Sequence, residues 1–149
     1  MDHEYSTSVL STDQVGWDWF SFQMEDNTEL MLFQIRKKDG SIDPFSSGTW
    51  ISADGVTQIL SEEDFIIQVN KNWESPRTKA VYPAGWQIEI PKLQLQLTIE
   101  PLISDQELNL SYSYWEGAVK IIGTRAEKTI QGLGYVELTG YSQSMGGEF

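Results

Sequence analysis

Hydrophobic and polar residues alternate along most of the chain, and the alternation predicts strands from end to end. Leu93, Leu95, Leu97 and Ile99 interleave with Gln94, Gln96, Thr98 and Glu100. A period of two puts one set on a buried face and the other in water. Residues 17–24 are apolar on both faces, with Trp17 and Trp19 opposite Phe20, Phe22 and Met24. Residues 29–37 alternate less cleanly, with Met31, Phe33 and Ile35 on one side. Residues 47–53, 56–60, 65–70, 80–91, 107–123 and 129–141 complete a set of about nine or ten strands.

The breaks between these runs carry turn chemistry. Asp39-Gly40 and Asp54-Gly55 suit tight hairpins, and residues 25–28 form a polar tip. Pro76, Pro83, Pro91 and Pro101 stand where strands should end or bend. Gly132 and Gly134 within the last strand suggest a bulge or a close backbone approach. Only residues 61–64 look helical, with Ser61 as a cap and Asp64 as its reciprocal partner. Many short strands without intervening helices predict an all-β domain. A meander of this length closes its edges best as a single antiparallel β-barrel, which can hold a small apolar ligand. No repeat or linker divides residues 1–149, and 141–149 read as a short tail.

Composition narrows the function. With 22 acidic and 10 basic residues the net charge is −12. Nucleic acid and anionic membranes are poor partners for such a chain, because both are recognised through Lys and Arg. No apolar run is long enough to span a bilayer. The first five residues lack the basic and apolar regions of a signal peptide, which predicts a soluble protein and leaves the compartment unknown. Zero Cys removes disulfides and thiolate chemistry, a single His removes a multi-His metal site, and no loop of the EF-hand kind is spaced to hold Mg²⁺ or Ca²⁺. Six Trp in 149 residues need either a large core or a cavity with aromatic walls.

Three segments could carry chemistry. His3, between Asp2 and Glu4, is the only imidazole, and its alternative role is that of a frayed terminus. Asp18 lies between Trp17 and Trp19; buried there, its pKa would rise and it could donate a proton. Alternatively Asp18 faces water or anchors a loop by hydrogen bonding, and core packing is the expected role of the two Trp. The third segment pairs Tyr114, Trp115 and Glu116 with Tyr135 and Glu137. Alternation puts Tyr112, Tyr114 and Glu116 on one face, and Tyr135, Glu137, Thr139 and Tyr141 on one face. If those faces lined the barrel, they would form either a binding site or a structural hydrogen-bond network.

The strings Asp2-His3-Glu4-Tyr5, Gly16-Trp17-Asp18-Trp19-Phe20, Tyr114-Trp115-Glu116-Gly117 and Gly134-Tyr135-Val136-Glu137-Leu138-Thr139-Gly140-Tyr141 bring a family into view. The chain resembles the hydroxyneurosporene synthase (carotenoid 1,2-hydratase) and AttH-like family, and it looks like the second of that family's two lipocalin-like halves. The resemblance implies a barrel that binds an apolar, isoprenoid- or polyketide-like small molecule. It also implies relatives that hydrate isolated alkenes or close rings without a cofactor. A His with an aromatic two residues later belongs to the hydratases' functional set, and His3 and Tyr5 match those positions. With Asp18 they are the catalytic candidates, while Trp17, Trp19, Tyr114, Trp115, Glu116, Tyr135 and Glu137 are the ligand-binding ones. Either Glu could replace Asp18 as the acid. Three functions stay open: a lipophile binder in a two-barrel assembly, a cofactor-free hydratase or cyclase, and a structural half that docks on another barrel. The expected partner is a second copy or a separate first-half barrel.

Overall fold

The structure, a computed structural model, describes residues 10–110 and 112–144. It is 63% strand and 4% helix, an all-β chain curled into a half-barrel. The strands are β1 (Gln14–Met24), β2 (Glu29–Lys37), β3 (Ser47–Ile51), β4 (Thr57–Ser61), β5 (Ile66–Glu74), β6 (Val81–Ile90), β7 (Leu95–Pro101), β8 (Glu107–Asn109), β9 (Ser113–Arg125) and β10 (Lys128–Leu138). Nine of them form one antiparallel path, β4-β3-β2-β1-β10-β9-β7-β6-β5, and short β8 pairs with β9. The first and last strands of the fold, β1 and β10, therefore lie side by side at its centre, in register from Asp18 opposite Leu138 to Met24 opposite Gly132.

The expected turns form where the residues allow them. Gly40 and Gly55 take φ of +84° and +83°, a region that costs glycine nothing and other residues about a kcal/mol. Ser61 donates through its backbone N–H and its hydroxyl to the Asp64 carboxylate, at 2.7 and 2.8 Å, which starts the single 3-10 turn Glu62–Asp64. Lys92 reaches this turn from the β6–β7 connection, 2.7 Å from Asp64, and pins that connection to the link between β4 and β5.

Three expectations are adjusted. Leu93 does not join the strand of Leu95, Leu97 and Ile99; Pro91–Leu93 is a 3-10 turn, with Pro91 in its first turn and Gln94 left-handed after it. Proline lacks the N–H that a sheet would need and is pre-set for a helical first turn, so the strand begins two residues later. Residues 107–123 divide into β8 and β9, whose hairpin is fastened by the Ser113 hydroxyl on Asn109. Gly132 and Gly134 make close approaches, not a bulge: a Cβ on Gly132 would lie 2.2 Å from the Gln23 carbonyl, while the β9–β10 register runs on unbroken.

The inner face of the sheet is filled with side chains. Phe20, Phe22, Leu32, Tyr82, Trp86, Ile88, Ile99 and Trp115 are all fully buried. The Phe20 ring meets Trp86 edge-on at 5.8 Å, and Trp86 lies 6.3 Å from Trp115. Aromatic side chains each bury about 150–250 Å², so this cluster supplies much of the driving force for folding. On β7 the inward set is Leu95, Leu97 and Ile99. Leu95→Ala should cost about 2–5 kcal/mol in urea unfolding, whereas the neighbouring outward change Gln96→Ala should stay within about 0.5 kcal/mol.

Candidate functional site

Strict alternation on β1 sends Gly16, Asp18, Phe20, Phe22 and Met24 to the inner face. Asp18 is the charged member of this set, and it lies near one end of the barrel, only 2% exposed. The inward positions of β2 continue from Leu30 and Leu32 to Gln34 and Arg36, so polar residues arrive beside it. Arg36 donates to the Asp18 carboxylate through Nε at 3.1 Å, and Gln34 through Nε2 at 3.2 Å. The Tyr141 hydroxyl donates to both carboxylate oxygens, at 3.0 and 3.1 Å. The second Arg36 amino group donates to the Thr139 carbonyl, and the guanidinium lies 3.9 Å above the Tyr141 ring.

Tyr141 reaches this place because β10 ends at Leu138. Gly140 turns with φ +74° in close contact with the Val15 carbonyl, where a Cβ would lie only 2.0 Å away. The chain therefore leaves the outer face that Tyr135 and Glu137 occupy, and the Tyr141 ring crosses the barrel end to lie 5.6 Å from Tyr82. Tyr82 stacks on Trp73 at 6.2 Å, and its hydroxyl donates to Glu107 at 3.0 Å. Glu107 also accepts from Ser75 at 2.6 Å, Thr78 at 2.5 Å and Arg77 at 3.3 Å.

The two buried carboxylates respond in opposite directions. Burial pushes the Asp18 pKa above the ordinary 3.8, and the charge of Arg36 with the hydrogen bonds from Gln34 and Tyr141 only partly offsets it. Burial also acts on Glu107, but its ring of hydroxyl donors and Arg77 outweighs burial and holds it below the ordinary 4.5. Both phenols at this end, Tyr82 and Tyr141, are pushed up, first by burial and then by the adjacent carboxylate. Asp18 thus holds its proton more readily than an ordinary carboxyl group, and Glu107 less readily.

The remaining candidates fall in other places. Trp17 and Trp19 are half-buried on the outer wall, and the core role falls to Trp50, Trp86 and Trp115. Trp115 points inward, fully buried, with its indole N–H on the Ser104 carbonyl at 2.9 Å. Tyr114, Glu116, Tyr135 and Glu137 share the outer wall with the two tryptophans. Glu116 lies opposite Glu137, and the Trp17 indole donates to Glu137 at 2.6 Å. These residues do not line the barrel interior, because the inward positions of β9 and β10 are Trp115, Val119, Ile121, Val136 and Leu138. His3 and Tyr5 lie outside the described residues. Gln34, Arg36, Tyr82 and Glu107 escaped the sequence reading. The signal for the first two was present: they continue the inward rhythm of Leu30 and Leu32 at the level of Asp18.

Residues 1–141 match the AttH-like family. The chain belongs to that family. A solved AttH-type protein of Nitrosomonas europaea is 36% identical, with a TM-score of 0.80 over 91% of this chain. Kievitone hydratase of Nectria haematococca shares the fold at 20% identity, with a TM-score of 0.73 over 93% of this chain. The AttH-like chain spans 42% of the length of each of these two proteins. No curated protein matches it. Among the described residues, no cluster of three or more carboxylates and imidazoles could hold a metal ion, and no helix is long and apolar enough to cross a membrane.

The opposed carboxylates have a measurable consequence. The folded chain holds the Asp18 proton more tightly than the unfolded chain does. Asp18 therefore contributes most stability below 3.8, and the contribution falls as pH rises through its folded-state pKa. Glu107 contributes above 4.5, and its contribution falls as pH drops through its own lowered value. Denaturant titrations between about pH 3 and about pH 7 should show wild type losing stability relative to Asp18→Asn as pH rises, and gaining relative to Glu107→Gln. Carboxyl NMR should place the Asp18 midpoint above and the Glu107 midpoint below their ordinary values.

Proposed function

We propose that this AttH-like chain is one half of a two-barrel protein that binds a lipophilic, isoprenoid- or polyketide-like small molecule at the Asp18 end of the barrel. The observation that carries the reading is the buried carboxyl group of Asp18, capped by Tyr141, whose ring continues into the Tyr82–Trp73 stack. Mostly apolar walls with a few convergent polar groups are what a small-molecule site requires. The interior beneath is packed, so the ligand would lie across the barrel end, and the rest of its enclosure would come from a second unit. That two solved relatives are more than twice as long supports such a unit. Nile red, a neutral apolar dye, should bind saturably, with its emission shifted to the blue. Trp73→Ala and Tyr141→Phe should each weaken it by about tenfold, a loss of about 1.4 kcal/mol. Unsaturable binding that neither substitution changes would remove this reading.

A second reading is a cofactor-free hydratase, favoured by the raised pKa of Asp18. In it the Asp18 carboxylic acid gives its proton to an isolated alkene, and the electron pair of the double bond forms the new C–H bond. The rings of Tyr82 and Trp73 face the resulting tertiary cation. Water then adds to the cation, and its surplus proton returns to the Asp18 carboxylate. His3 and Tyr5 enter this reading as the further members of the site. Farnesol incubated with the protein in heavy-oxygen water should yield a labelled tertiary alcohol. Asp18→Asn should abolish the product without weakening Nile red binding by more than about twofold.

A further inference from the structure

The end of the half-barrel opposite Asp18 carries its charges differently. The inward positions of β9 and β10 continue to Arg125 and Lys128, which face each other in register beside the two-residue turn Ala126-Glu127. Like charges directly opposite one another weaken a sheet. Elsewhere the chain gives its cations counter-charges: Arg36, Lys37, Arg77, Lys79, Lys92 and Lys120 each have a carboxylate within 4.0 Å. Among the described residues, no carboxylate comes that close to Arg125 or Lys128, although acids outnumber bases 22 to 10. The Arg125 guanidinium lies 4.7 Å from the centre of the Trp50 ring, which holds its planar fork of N–H donors in place at this end.

A cavity of about 360 Å³ opens beside this pair, lined by Arg125, Lys128, Thr129, Asp26, Leu93 and Ile130. Its apolar wall is firm, because Ile130 is buried and Leu93 packs on the core. The Ala126 backbone N–H donates to the Gln94 carbonyl at 3.0 Å, which fastens the β9–β10 hairpin to the turn Pro91–Leu93 and keeps Leu93 beside the two cations. Asp26 is turned back on its own hairpin, where its Oδ1 accepts from the Thr28 backbone N–H at 3.1 Å and hydroxyl at 2.6 Å. Two cations and one carboxylate leave a single positive charge, so the cavity complements an anion of one charge. A guanidinium fork matches the planar geometry of a carboxylate, and a lysine adds a point charge to it. We infer that this cavity binds an apolar monocarboxylic acid, with its carboxylate on Arg125 and Lys128 and its apolar body along Leu93 and Ile130. The site lies at the far end of the half-barrel from Asp18 and does not depend on the function proposed there.

The test is calorimetric titration of the chain with octanoate. Octanoate should bind one-to-one, and octanol, of the same length without the charge, about tenfold more weakly. Arg125→Lys keeps the charge over Trp50 and removes the fork; Lys128→Gln changes only the exposed rim. Each should weaken octanoate by about tenfold, and Asp26→Asn should strengthen it by about threefold. Lys38→Gln, which removes a cation just beyond β2 at the Asp18 end, should leave it unchanged. In the unsubstituted chain the Arg125 Nε–H resonance should shift as octanoate is added, a reading that needs no variant to fold. Binding that survives both Arg125→Lys and Lys128→Gln, or that Lys38→Gln weakens equally, overturns the inference. Octanol or acetate binding as tightly as octanoate overturns the ligand class, since each lacks one half of the proposed recognition. Neither heat nor an Arg125 shift at about 10 mM octanoate, a free energy weaker than about 3 kcal/mol, overturns the site altogether.

Discussion

Strand β1 faces two environments, and its alternation sets both the inner and the outer wall of the sheet. Its even-numbered residues run inward from Gly16 and Asp18 to Phe20, Phe22 and Met24, so the interior passes from polar at one end to apolar at the other. Its odd-numbered residues carry Trp17 and Trp19 to the outer wall. Because side chains alternate strictly along a strand, slipping the register by one residue would exchange an acid and two phenylalanines for two tryptophans. The lateral pairing of β1 with both β2 and β10 holds that register from two sides.

The barrel end follows from a charge that cannot be left unpaired. An isolated buried carboxylate would cost several kcal/mol, so Asp18 has to collect partners or hold its proton. Arg36, Gln34 and Tyr141 converge on it, and burial still raises its pKa above the ordinary value. Each partner has its own structural demand. Arg36 lies against Gly16, where a Cβ would stand 2.8 Å from its amino group, and Tyr141 depends on the left-handed turn at Gly140. Glu107 shows the opposite solution at the same end. It has enough hydroxyl donors to remain ionised, and Tyr82 bridges the two carboxylates by giving its hydroxyl to one and its ring to the cap of the other.

The filled interior distinguishes this half-barrel from one that would hold its ligand deep inside. Trp86 and Trp115 occupy the space between the walls, with Phe20 against them. The half-barrel agrees with membership of the AttH-like family and is a fold shared with kievitone hydratase.

Much of this architecture is legible in the sequence, since it follows from local rules. Period-two patterning marks the strands, Asp-Gly and Ser61-to-Asp64 mark the turns, and the inward set Leu95, Leu97 and Ile99 follows from simple alternation. The resemblance to the AttH-like family is likewise carried by short strings, and Asp18 stands out as an acid among aromatics. The sequence does not say which face of β9 and β10 turns inward. Trp115 and Tyr114 are equally plausible core residues in a strand apolar on both sides, and only the neighbouring strands decide between them. Nor does alternation foresee Tyr141, which leaves its expected face through one left-handed glycine. Glu107 and Tyr82, 25 residues apart, meet only when β6 and β8 reach the same end of the barrel. Hydrophobic period is a property of a single strand, whereas a buried charge is satisfied by whatever the curled sheet brings beside it.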